Sequence, residues 1–486
     1  MRISGKTFWL LLGAAAAARL FAMAVMPLAD TSEPRYAEVA RLMEQTNDWI
    51  TPWFEPGVPF WGKPPLAFWL QALSMRIFGI GEFAVRLPGF IAMAGLLSML
   101  YVRARHMYGV PAARWSCLIL ATMLLPLVNA GAVLTDPFLA FAVTLSMLSF
   151  VAAQQGGPWY RGLGFFVGLA LGMLAKGPLA VVLILGVCMG WMLWQRSWRA
   201  PMRSLPWARG MTLALVLTVP WYVAAEIKTP GFLHYFIIGE HVLRFIDSGW
   251  EGDRYGTAHA RPLGAIWIDW IGAAAPWSLV ILVGGVAAAV KPASMRAIRT
   301  RLSDARLRLL LLWALAPQVL FTLSGNILWT YVLPGLPAVA LLLGIWLAGW
   351  QPSRWYYGTA WLLRAAAMLV PAAALALGVR AWGDPQHLKT EKGLVDAAQA
   401  VMRSGDVLYY VETRPFSARF YSSGQAQWLP WDTNDLRQQC QSGRVLAAVP
   451  RDRSWPALDG QGTSKRVLYL SRRFALYEIS GCGPAR

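Results

Sequence analysis

The sequence has few charged residues. Only 14% of its 486 residues are Asp, Glu, Lys or Arg, against about a quarter in soluble proteins. Hydrophobic residues make up 57%, and tryptophan occurs 26 times, as in membrane proteins whose aromatic side chains collect at the two interfaces. This composition excludes an ordinary soluble enzyme and predicts a polytopic α-helical membrane protein.

Acidic residues are scarcer than basic ones. The chain has 25 Asp and Glu against 44 Lys and Arg, which gives a formal net charge of +19. A nucleic-acid-binding protein gathers such charges on one face, whereas many of them fall here in short connections between apolar stretches. That distribution is typical of cytoplasmic loops in membrane proteins. We therefore expect the membrane as a partner and no nucleic acid.

Several familiar motifs are missing. No Walker sequence, GxGxxG, CxxC pair or HExxH is present, so nothing indicates nucleotide hydrolysis, dinucleotide redox chemistry or structural zinc. Cysteine is rare too. Cys117 and Cys188 lie in apolar stretches, where thiols pack as inert side chains. Cys440 and Cys482 lie in a polar C-terminal region and can pair if that region faces an oxidising compartment.

Eleven apolar stretches are long enough for a bilayer, which takes about 20 helical residues to cross. The predicted spans are 8–28, 84–102, 112–131, 136–153, 160–175, 178–194, 210–226, 263–290, 308–324, 331–350 and 356–381. With the N-terminus in the cytoplasm, basic connections such as 195–209 and 291–308 lie inside. The two long loops, 29–83 and 227–262, and the C-terminus then lie outside.

The last hundred residues differ from the rest. From about Asp384 the composition becomes that of a soluble protein, with the periodicity of an amphipathic helix over 393–404 and of strands over 407–411, 445–449 and 466–470. We therefore predict a transmembrane domain at 1–382 and a small α/β domain at 383–486.

The first outer loop is richer in acids, bases and aromatic side chains than a connection between two helices requires. Asp30 can cap a helix that begins near Glu33, and either carboxylate can act as a general base. Arg35 supplies a cation, and Lys63 supplies another on a backbone stiffened by two prolines. Such a loop at a membrane face suits a substrate with an anionic head group and a hydrophobic tail.

Three further candidates lie at the outer ends of apolar spans. Asp136 begins a span and either caps it or serves function directly. Lys176 ends a span and either snorkels to the interface or binds phosphate as a point charge. Tyr331 opens a span and is either an interfacial anchor or a hydroxyl that lines the site.

The second outer loop holds three of the five histidines. Glu240, His241 and Arg244 can share one helix face. Arg244 or Arg261 is expected to contact phosphate, because a guanidinium forks onto phosphate oxygens. His234, His241 and His259 admit a site for a divalent cation, but their spacing matches no standard metal motif. No metal ligand is therefore assigned.

The order of these motifs resembles that of membrane glycosyltransferases of the GT-C fold. The motifs are Glu33-Pro-Arg-Tyr-Ala-Glu38, Asp48-Trp-Ile-Thr-Pro52, Lys63-Pro-Pro-Leu66, Thr135-Asp136-Pro137, Ala175-Lys176-Gly177, His234-Tyr-Phe236, Glu240-His241 with Arg244-Phe245, and Thr330-Tyr-Val-Leu-Pro334. The chain is most similar to the family 39-like branch that includes the bacterial aminoarabinose transferases acting on lipid A. It is more distantly similar to protein O-mannosyltransferases, and the resemblance covers roughly residues 8–350.

The resemblance implies an inverting sugar transfer from a polyprenyl (undecaprenyl) phosphate carrier to lipid A or another envelope glycolipid. The reaction would take place at the periplasmic face of a bacterial inner membrane. Asp30 or Glu33 would activate the acceptor, and Asp136 would orient a substrate. The donor phosphate would be held by Lys63, Arg35, Lys176, Arg244 and Tyr331. The remaining loop residues near the substrate would be Glu240, His241, His259 and Arg261.

Two positions depart from the pattern of the aminoarabinose transferases. Those proteins commonly have adjacent Asp and Glu where this chain has Ser32 and Glu33, with its aspartate displaced to Asp30. They also commonly have Glu before the lysine of the Lys-Pro motif, where this chain has Gly62. The choice between Asp30 and Glu33 as the base therefore stays open, and so does the sugar.

Two alternatives remain. The same donor chemistry can serve a protein hydroxyl, which would make the chain a protein O-glycosyltransferase. A lipid transporter or flippase belongs to another class, and it would need charged residues along a path through the middle of the membrane. The candidates here fall at one face instead.

Overall fold

The computed structural model describes residues 1–486 except 157, 248, 257–258, 291–295, 297–299, 351–355, 432–439, 441–442, 453–463 and 481–486. The helices of the membrane part are α1 Gly5–Val25, α2 Ser32–Thr46, α3 Leu66–Phe78, α4 Glu82–Thr122, α5 Leu124–Asn129, α6 Asp136–Gln154, α7 Leu163–Lys176, α8 Pro178–Gln195, α9 Arg199–Ser204, α10 Trp207–Lys228, α11 Arg244–Ile246, α12 Ala265–Ala273, α13 Trp277–Ala289, α14 Ala305–Phe321, α15 Leu336–Gly349 and α16 Tyr356–Gly383. A π-helix spans His234–Leu243, and 3-10 turns span Trp159–Gly162 and Trp329–Gly335.

The predicted multi-pass helical protein is confirmed, but the count of eleven spans is not. In the described part of the chain seven helical segments are long and apolar enough to cross a membrane, or eight if α12 and α13, bent by 110°, form one span. Two predicted spans fall on α4, a 41-residue helix kinked at Gly109. Two others fall on α7 and α14, and α7 has 14 residues and is only about 21 Å long.

The core of the membrane part is built around buried tryptophans. Trp115 and Trp277 meet edge to face, with their ring centroids 6.3 Å apart. The indole N–H of Trp277 donates to Thr122 Oγ1 at 2.9 Å, and that of Trp313 donates to the Pro334 carbonyl at 2.7 Å. A membrane interior has no water to satisfy such donors, so these bonds fix how the helices pack.

The first outer loop folds into structure of its own. Helix α2 ends at Thr46 and is capped by Asn47, which has a positive φ of 60°. A hairpin follows, with β1 Trp53–Glu55 paired antiparallel to β2 Val58–Pro59. Helix α3 begins directly after the Lys63-Pro-Pro segment, because proline is tolerated before and within a first helical turn. The loop therefore places Asp30 in the turn just before α2 and Lys63 in the bend just before α3.

The C-terminal region is a small sheet with helices, as predicted. Its elements are α17 Lys392–Val401, β3 Leu408–Val411, α18 Phe416–Tyr421, β4 Gln427–Leu429, β5 Val445–Pro450, β6 Ser464–Leu470, β7 Phe474–Ser480 and the 3-10 turn Pro385–His387. The strand order is β4-β3-β5-β7-β6, in which β3 runs parallel to β4 and β5 while the other pairs are antiparallel. Cys440 is disulfide-bonded, whereas Cys117 and Cys188 are free and buried. Cys482 lies outside the described residues.

The C-terminal domain packs on the first outer loop. Ion pairs across this contact are Asp30 with Arg473, Glu55 with Arg414 and with Arg419, and Glu82 with Lys392. Phe416 stacks edge to face on Phe54 of the hairpin, with centroids 5.7 Å apart. The C-terminal domain therefore lies on the same side of the membrane helices as the first outer loop.

Candidate functional site

A cavity of about 940 Å³ lies where the two outer loops, the ends of the membrane helices and the C-terminal domain meet. Its charged lining residues within the described part of the chain are Arg19, Asp30, Glu33, Arg35, Lys63, Arg86, Asp136, Lys176, Glu240, Arg244 and Arg254. Seven of these are cationic and four are carboxylates, an excess of three positive charges. The cavity therefore favours an anionic ligand.

Lys176 and Asp136 form a buried ion pair at one wall. Lys176 Nζ lies 2.7 Å from Asp136 Oδ1, and both side chains are buried. The same ammonium lies 4.8 Å from the centre of the Tyr331 ring, within reach of a cation–π interaction. Lys176 is the last residue of α7 and Asp136 is the first residue of α6, in agreement with the helix ends predicted from the sequence. These three candidates do come together.

Glu240 connects two cations of the second wall. Its carboxylate lies 3.2 Å from Lys63 Nζ and 3.0 Å from Arg244 Nη1. Arg244 also reaches Asp253 at 3.2 Å. Burial alone would raise the pKa of Glu240, but the charges of Lys63 and Arg244 outweigh it and hold that pKa below its usual value. Lys63 and Arg244 are thus held side by side.

Glu33 faces the cavity and is held by Arg86. Arg86 Nη2 lies 2.8 Å from Glu33 Oε2, and the Val133 N–H donates to Oε1 at 3.2 Å. The Glu33 side chain keeps 21% of its surface exposed. Burial alone would raise the pKa of Glu33. The charge and hydrogen bond of Arg86 lower this pKa by a larger amount, so it lies below its usual value. Glu33 is therefore ionised at neutral pH.

Asp30 also borders the cavity, but its carboxylate is committed to the C-terminal domain. It accepts hydrogen bonds from the Ser417 N–H at 2.8 Å and the Ser417 hydroxyl at 2.6 Å, and pairs with Arg473 at 2.5 Å. Only 1% of the side chain is exposed. These contacts make Asp30 a docking residue. The catalytic role expected for it remains a prediction.

Besides Arg19, which donates to backbone carbonyls, two arginines lining the cavity are held by carbonyl or aromatic groups rather than acids. Arg35 Nη1 donates to the Tyr255 carbonyl at 2.5 Å, and its guanidinium lies 5.2 Å from the Tyr36 ring centre. Arg254 stacks 4.6 Å from the centre of the Trp61 ring. Among the described residues neither forms an ion pair with a carboxylate, so both can offer N–H groups to an anion.

The other residues predicted from the second loop lie in different places. His241 lines the cavity and contacts the backbone at the end of α7, whereas His259 borders both this cavity and a second one of about 660 Å³. Arg261 is paired with Asp269 at 2.6 Å and lies in the second cavity. Its expected contact with the phosphate of the main cavity is therefore not supported by its position.

No metal centre emerges in the described ranges: no group of three or more His, Cys, Asp or Glu side chains there is arranged to hold an ion. His241 Nδ1 lies 2.7 Å from the Phe236 carbonyl and Nε2 lies 3.0 Å from the Lys176 carbonyl. Burial lowers the pKa of His241, so the ring is neutral and donates to one of these carbonyls at a time.

Sequence reasoning missed four charged residues here, namely Arg19, Arg86, Asp253 and Arg254. Arg19 is a charge inside the first apolar span, a position that indicates function by default. It donates to the Ala130 and Val128 carbonyls. Arg86 lies in the next predicted span and gave the same signal. Asp253 and Arg254 gave none, because only folding brings their loop over the cavity.

The same architecture is known from experiment. The crystal structure of ArnT from Cupriavidus metallidurans bound to undecaprenyl phosphate superposes with a TM-score of 0.79 at 19% identity, over 99% of this chain and 100% of that one. The chain has the GT-C fold. The GT-C architecture extends to the archaeal oligosaccharyltransferase AglB from Archaeoglobus fulgidus, solved with an inhibitory peptide and a dolichol-phosphate. That match has a TM-score of 0.51 at 13% identity over 86% of this chain and 64% of AglB.

Sequence comparison relates this GT-C chain to two groups of transferases. Residues 15–236 match the dolichyl-phosphate-mannose-protein mannosyltransferase family. The undecaprenyl phosphate-alpha-4-amino-4-deoxy-L-arabinose arabinosyl transferase of Pseudomonas aeruginosa (strain UCBPP-PA14) is 31% identical over 317 residues. That alignment covers 64% of this chain and 54% of the relative, so the chain matches about half the length of this relative. The expected similarity to the aminoarabinose transferases and to the protein mannosyltransferases is confirmed.

Proposed function

We propose that this protein transfers a sugar from a polyprenyl phosphate carrier, of the undecaprenyl class, to lipid A or another envelope glycolipid. The observation that carries the proposal is the cationic cavity enclosed by the outer loops at one end of the membrane helices. A lipid-linked sugar phosphate needs such a place, because its phosphate requires cations while its chain stays in the bilayer. The names of the relatives and the undecaprenyl phosphate in ArnT support the same donor.

The donor phosphate binds among Lys63, Lys176 and Arg244 in this proposal, with Arg35 and Tyr331 beside them. Their charges stabilise the negative charge that develops on the phosphate as the sugar departs with inversion. Each cation is already fixed by a carboxylate or an aromatic ring. The site is therefore organised before the donor arrives, so little ordering is needed in the transition state.

We assign activation of the acceptor to Glu33 rather than Asp30, because Glu33 retains exposed surface toward the cavity while Asp30 is buried against Ser417 and Arg473. A carboxylate with a lowered pKa is a weak base. It suits an acceptor that is itself acidic, such as a phosphate group with a second pKa of about 6, better than an alcohol. Lipid A phosphate is therefore favoured over a protein hydroxyl. In this scheme Asp136 orients the reactants through Lys176.

The reaction would take place at the periplasmic face of a bacterial inner membrane. Arginine-rich connections such as 195–209 lie between helices at the end remote from the cavity in the predicted topology, and basic loops stay in the cytoplasm. The N-terminus is then cytoplasmic, and the C-terminal domain is periplasmic. Cysteines introduced as Ser197→Cys and Gln425→Cys and treated with an impermeant thiol reagent on whole spheroplasts check this orientation. The reagent should label only the periplasmic cysteine at position 425.

A transfer assay tests the enzyme. Full-length protein in membranes is given radiolabelled polyprenyl phosphate sugar and lipid A, and sugar in the lipid A fraction is counted. Glu33→Gln is expected to reduce turnover at least about a hundredfold, the usual contribution of a general base. Transfer that survives Glu33→Gln combined with Asp30→Asn would contradict this assignment of the catalytic loop.

The match to the protein mannosyltransferase family favours a second candidate acceptor, a periplasmic protein hydroxyl. Mass spectrometry separates the two. A mass shift in lipid A that depends on the gene supports the first proposal, and a hexose or amino-sugar adduct on periplasmic proteins supports the second. Lipid translocation in reconstituted vesicles without any sugar transfer would instead indicate the flippase alternative.

A further inference from the structure

The π-helix His234–Leu243 connects the two lysines that border the cavity. Glu240 on this helix holds the ammonium of Lys63, with 3.2 Å between Oε2 and Nζ. The next residue, His241, lies against the backbone of Lys176. A single two-residue segment therefore spans from one lysine to the other. π-helical turns are rare and frequent at functional sites.

The contact between His241 and Lys176 satisfies a carbonyl that α7 leaves free. Lys176 is the last residue of α7, so its carbonyl has no N–H partner within that helix. His241 Nε2 lies 3.0 Å from this carbonyl oxygen. The neutral ring has a single N–H, which donates to this carbonyl in the Nε2–H tautomer and to the Phe236 carbonyl, 2.7 Å from Nδ1, in the other tautomer. The imidazole thereby fixes the end of α7, from which the Lys176 side chain reaches Asp136 at 2.7 Å.

Packing around Gly177 keeps the π-helix close to this corner. Gly177 has φ +68°, and a Cβ added there would lie 2.5 Å from the Phe236 ring and 3.4 Å from His241 Cε1. The Phe236 and His241 rings meet edge to face, with centroids 4.7 Å apart. The His241 ring is therefore confined between its own helix and the corner that joins α7 to α8.

We propose that His241 is a positioning residue that sets the place of the Lys176 ammonium relative to that of Lys63. The two lysines then meet one phosphate group from two sides. His241 itself transfers no proton and binds no metal in this role. The proposal rests on the proposed function only in naming the anion as a polyprenyl phosphate, because the contact between His241 and Lys176 does not depend on any ligand.

Chemical labelling of Lys176 tests the positioning without a ligand. Full-length protein in lipid nanodiscs is treated with an amine-acylating reagent, and the modification of each lysine is followed by mass spectrometry. In His241→Ala we expect Lys176 to react about tenfold faster, the factor that corresponds to losing one buried hydrogen bond. His241→Gln keeps one donor and should be intermediate. His234→Gln, an exposed histidine of the same π-helix, is the matched control and should leave Lys176 unchanged.

Two labelling results would overturn the proposal. One is an unchanged rate at Lys176 in His241→Ala. The other is a rise shared by Lys228, which pairs with Asp48 away from this corner, because that would indicate general loosening of the fold.

A double-mutant cycle tests the consequence for binding. Undecaprenyl phosphate is titrated into the same nanodiscs, and tryptophan fluorescence reports binding. His241→Ala should weaken binding about tenfold. In a Lys176→Ala background it should weaken binding by no more than about a further twofold, because a residue that acts only through Lys176 has no ammonium left to position, and a factor of about two is within the usual scatter of such cycles. Full additivity would overturn the proposal. If the wild-type protein binds no undecaprenyl phosphate, the proposed function fails while the labelling result still decides the role of His241.

Discussion

At the scale of single residues, each carboxylate that lines the cavity has a cation beside it. The pairs are Asp30 with Arg473, Glu33 with Arg86, Asp136 with Lys176, and Glu240 with Lys63 and Arg244. Removing one partner of a buried pair leaves an uncompensated charge, which costs more than the pair contributes. Single substitutions here should therefore affect stability as well as chemistry, and the two effects need separate measurements.

Glu33 makes stability depend on acidity. Its pKa is lowered in the folded protein, so its contribution is complete above its unfolded pKa of about 4.3 and is lost as pH falls through the lowered folded value. Glu33→Gln removes this dependence and leaves Arg86 without its charge partner, at a cost of about 3 kcal/mol at pH 7. We expect a lower melting temperature at pH 7 and a flatter decline below pH 4 to 5, measured in detergent by fluorescence. An unchanged melting temperature at pH 7 would contradict the pairing.

Arg254 offers its guanidinium to an anion while stacking on Trp61. Lysine keeps the charge but lacks the planar fork and stacks poorly. Arg254→Lys should therefore raise the KM for the polyprenyl phosphate donor about tenfold, the effect of one charged hydrogen bond, with little change in melting temperature. Arg209 stacks in the same way on Trp159, 4.5 Å from the ring centre, but lies outside the cavity. Arg209→Lys is the matched control, and an equal rise in KM for both variants would remove Arg254 from the donor site.

At the scale of elements, the corner between α7 and α8 depends on Gly177. Its positive φ is unfavourable for other residues, and a Cβ would collide with the Phe236 ring. Gly177→Ala should reduce the yield of monodisperse protein and lower the melting temperature. Gly186→Ala in the middle of α8, where a Cβ meets nothing within 4 Å, should be neutral or slightly stabilising, since alanine favours helices. Phe236→Leu should partly rescue Gly177→Ala. A Gly177→Ala protein with the yield and melting temperature of the wild type would argue against this packing.

Sequence reasoning located the membrane helices well because hydrophobic length is a local property. The count of eleven spans is not confirmed. Helix α7 has 14 residues, which can be apolar throughout and still be too short to cross, and two predicted spans fall on the single kinked helix α4. The C-terminal sheet was foreseen, but β4 and β7 were not. Strand β4 has only three residues, Gln427–Leu429, which are too few to show the alternating pattern of a strand.

The candidate site was predictable where motifs lie at helix ends. Asp136, Lys176 and Tyr331 were each placed at the outer end of a span, and the fold brings them into contact. Contacts between distant parts of the chain had no such signal. Asp30 and Arg473 are 443 positions apart, so nothing in the neighbourhood of Asp30 indicated that its carboxylate was already occupied.

At the scale of the whole molecule, the C-terminal domain closes the outer side of the cavity. Phe416 of α18 lines the cavity, and the neighbouring Ser417 holds Asp30. Arg473 bridges Asp30 and Glu391, with Nε 2.8 Å from Glu391 Oε1. Since the helix that contributes to the cavity also carries the docking contact, the position of the domain and the shape of the cavity are coupled.

This coupling distinguishes a docking role of Asp30 from a catalytic one. Arg473→Ala leaves the Asp30 carboxylate in place but unpaired, so it should loosen the domain, speed cleavage of the outer loops by trypsin, and lower transfer about tenfold through the cavity wall. Asp30→Asn should show the same cleavage and the same loss of transfer. Glu55→Gln, at a more exposed pair with Arg414 and Arg419, is the control and should change both little. A general base would behave differently, because Asp30→Asn would then abolish transfer without altering cleavage, while Arg473→Ala would leave transfer largely intact.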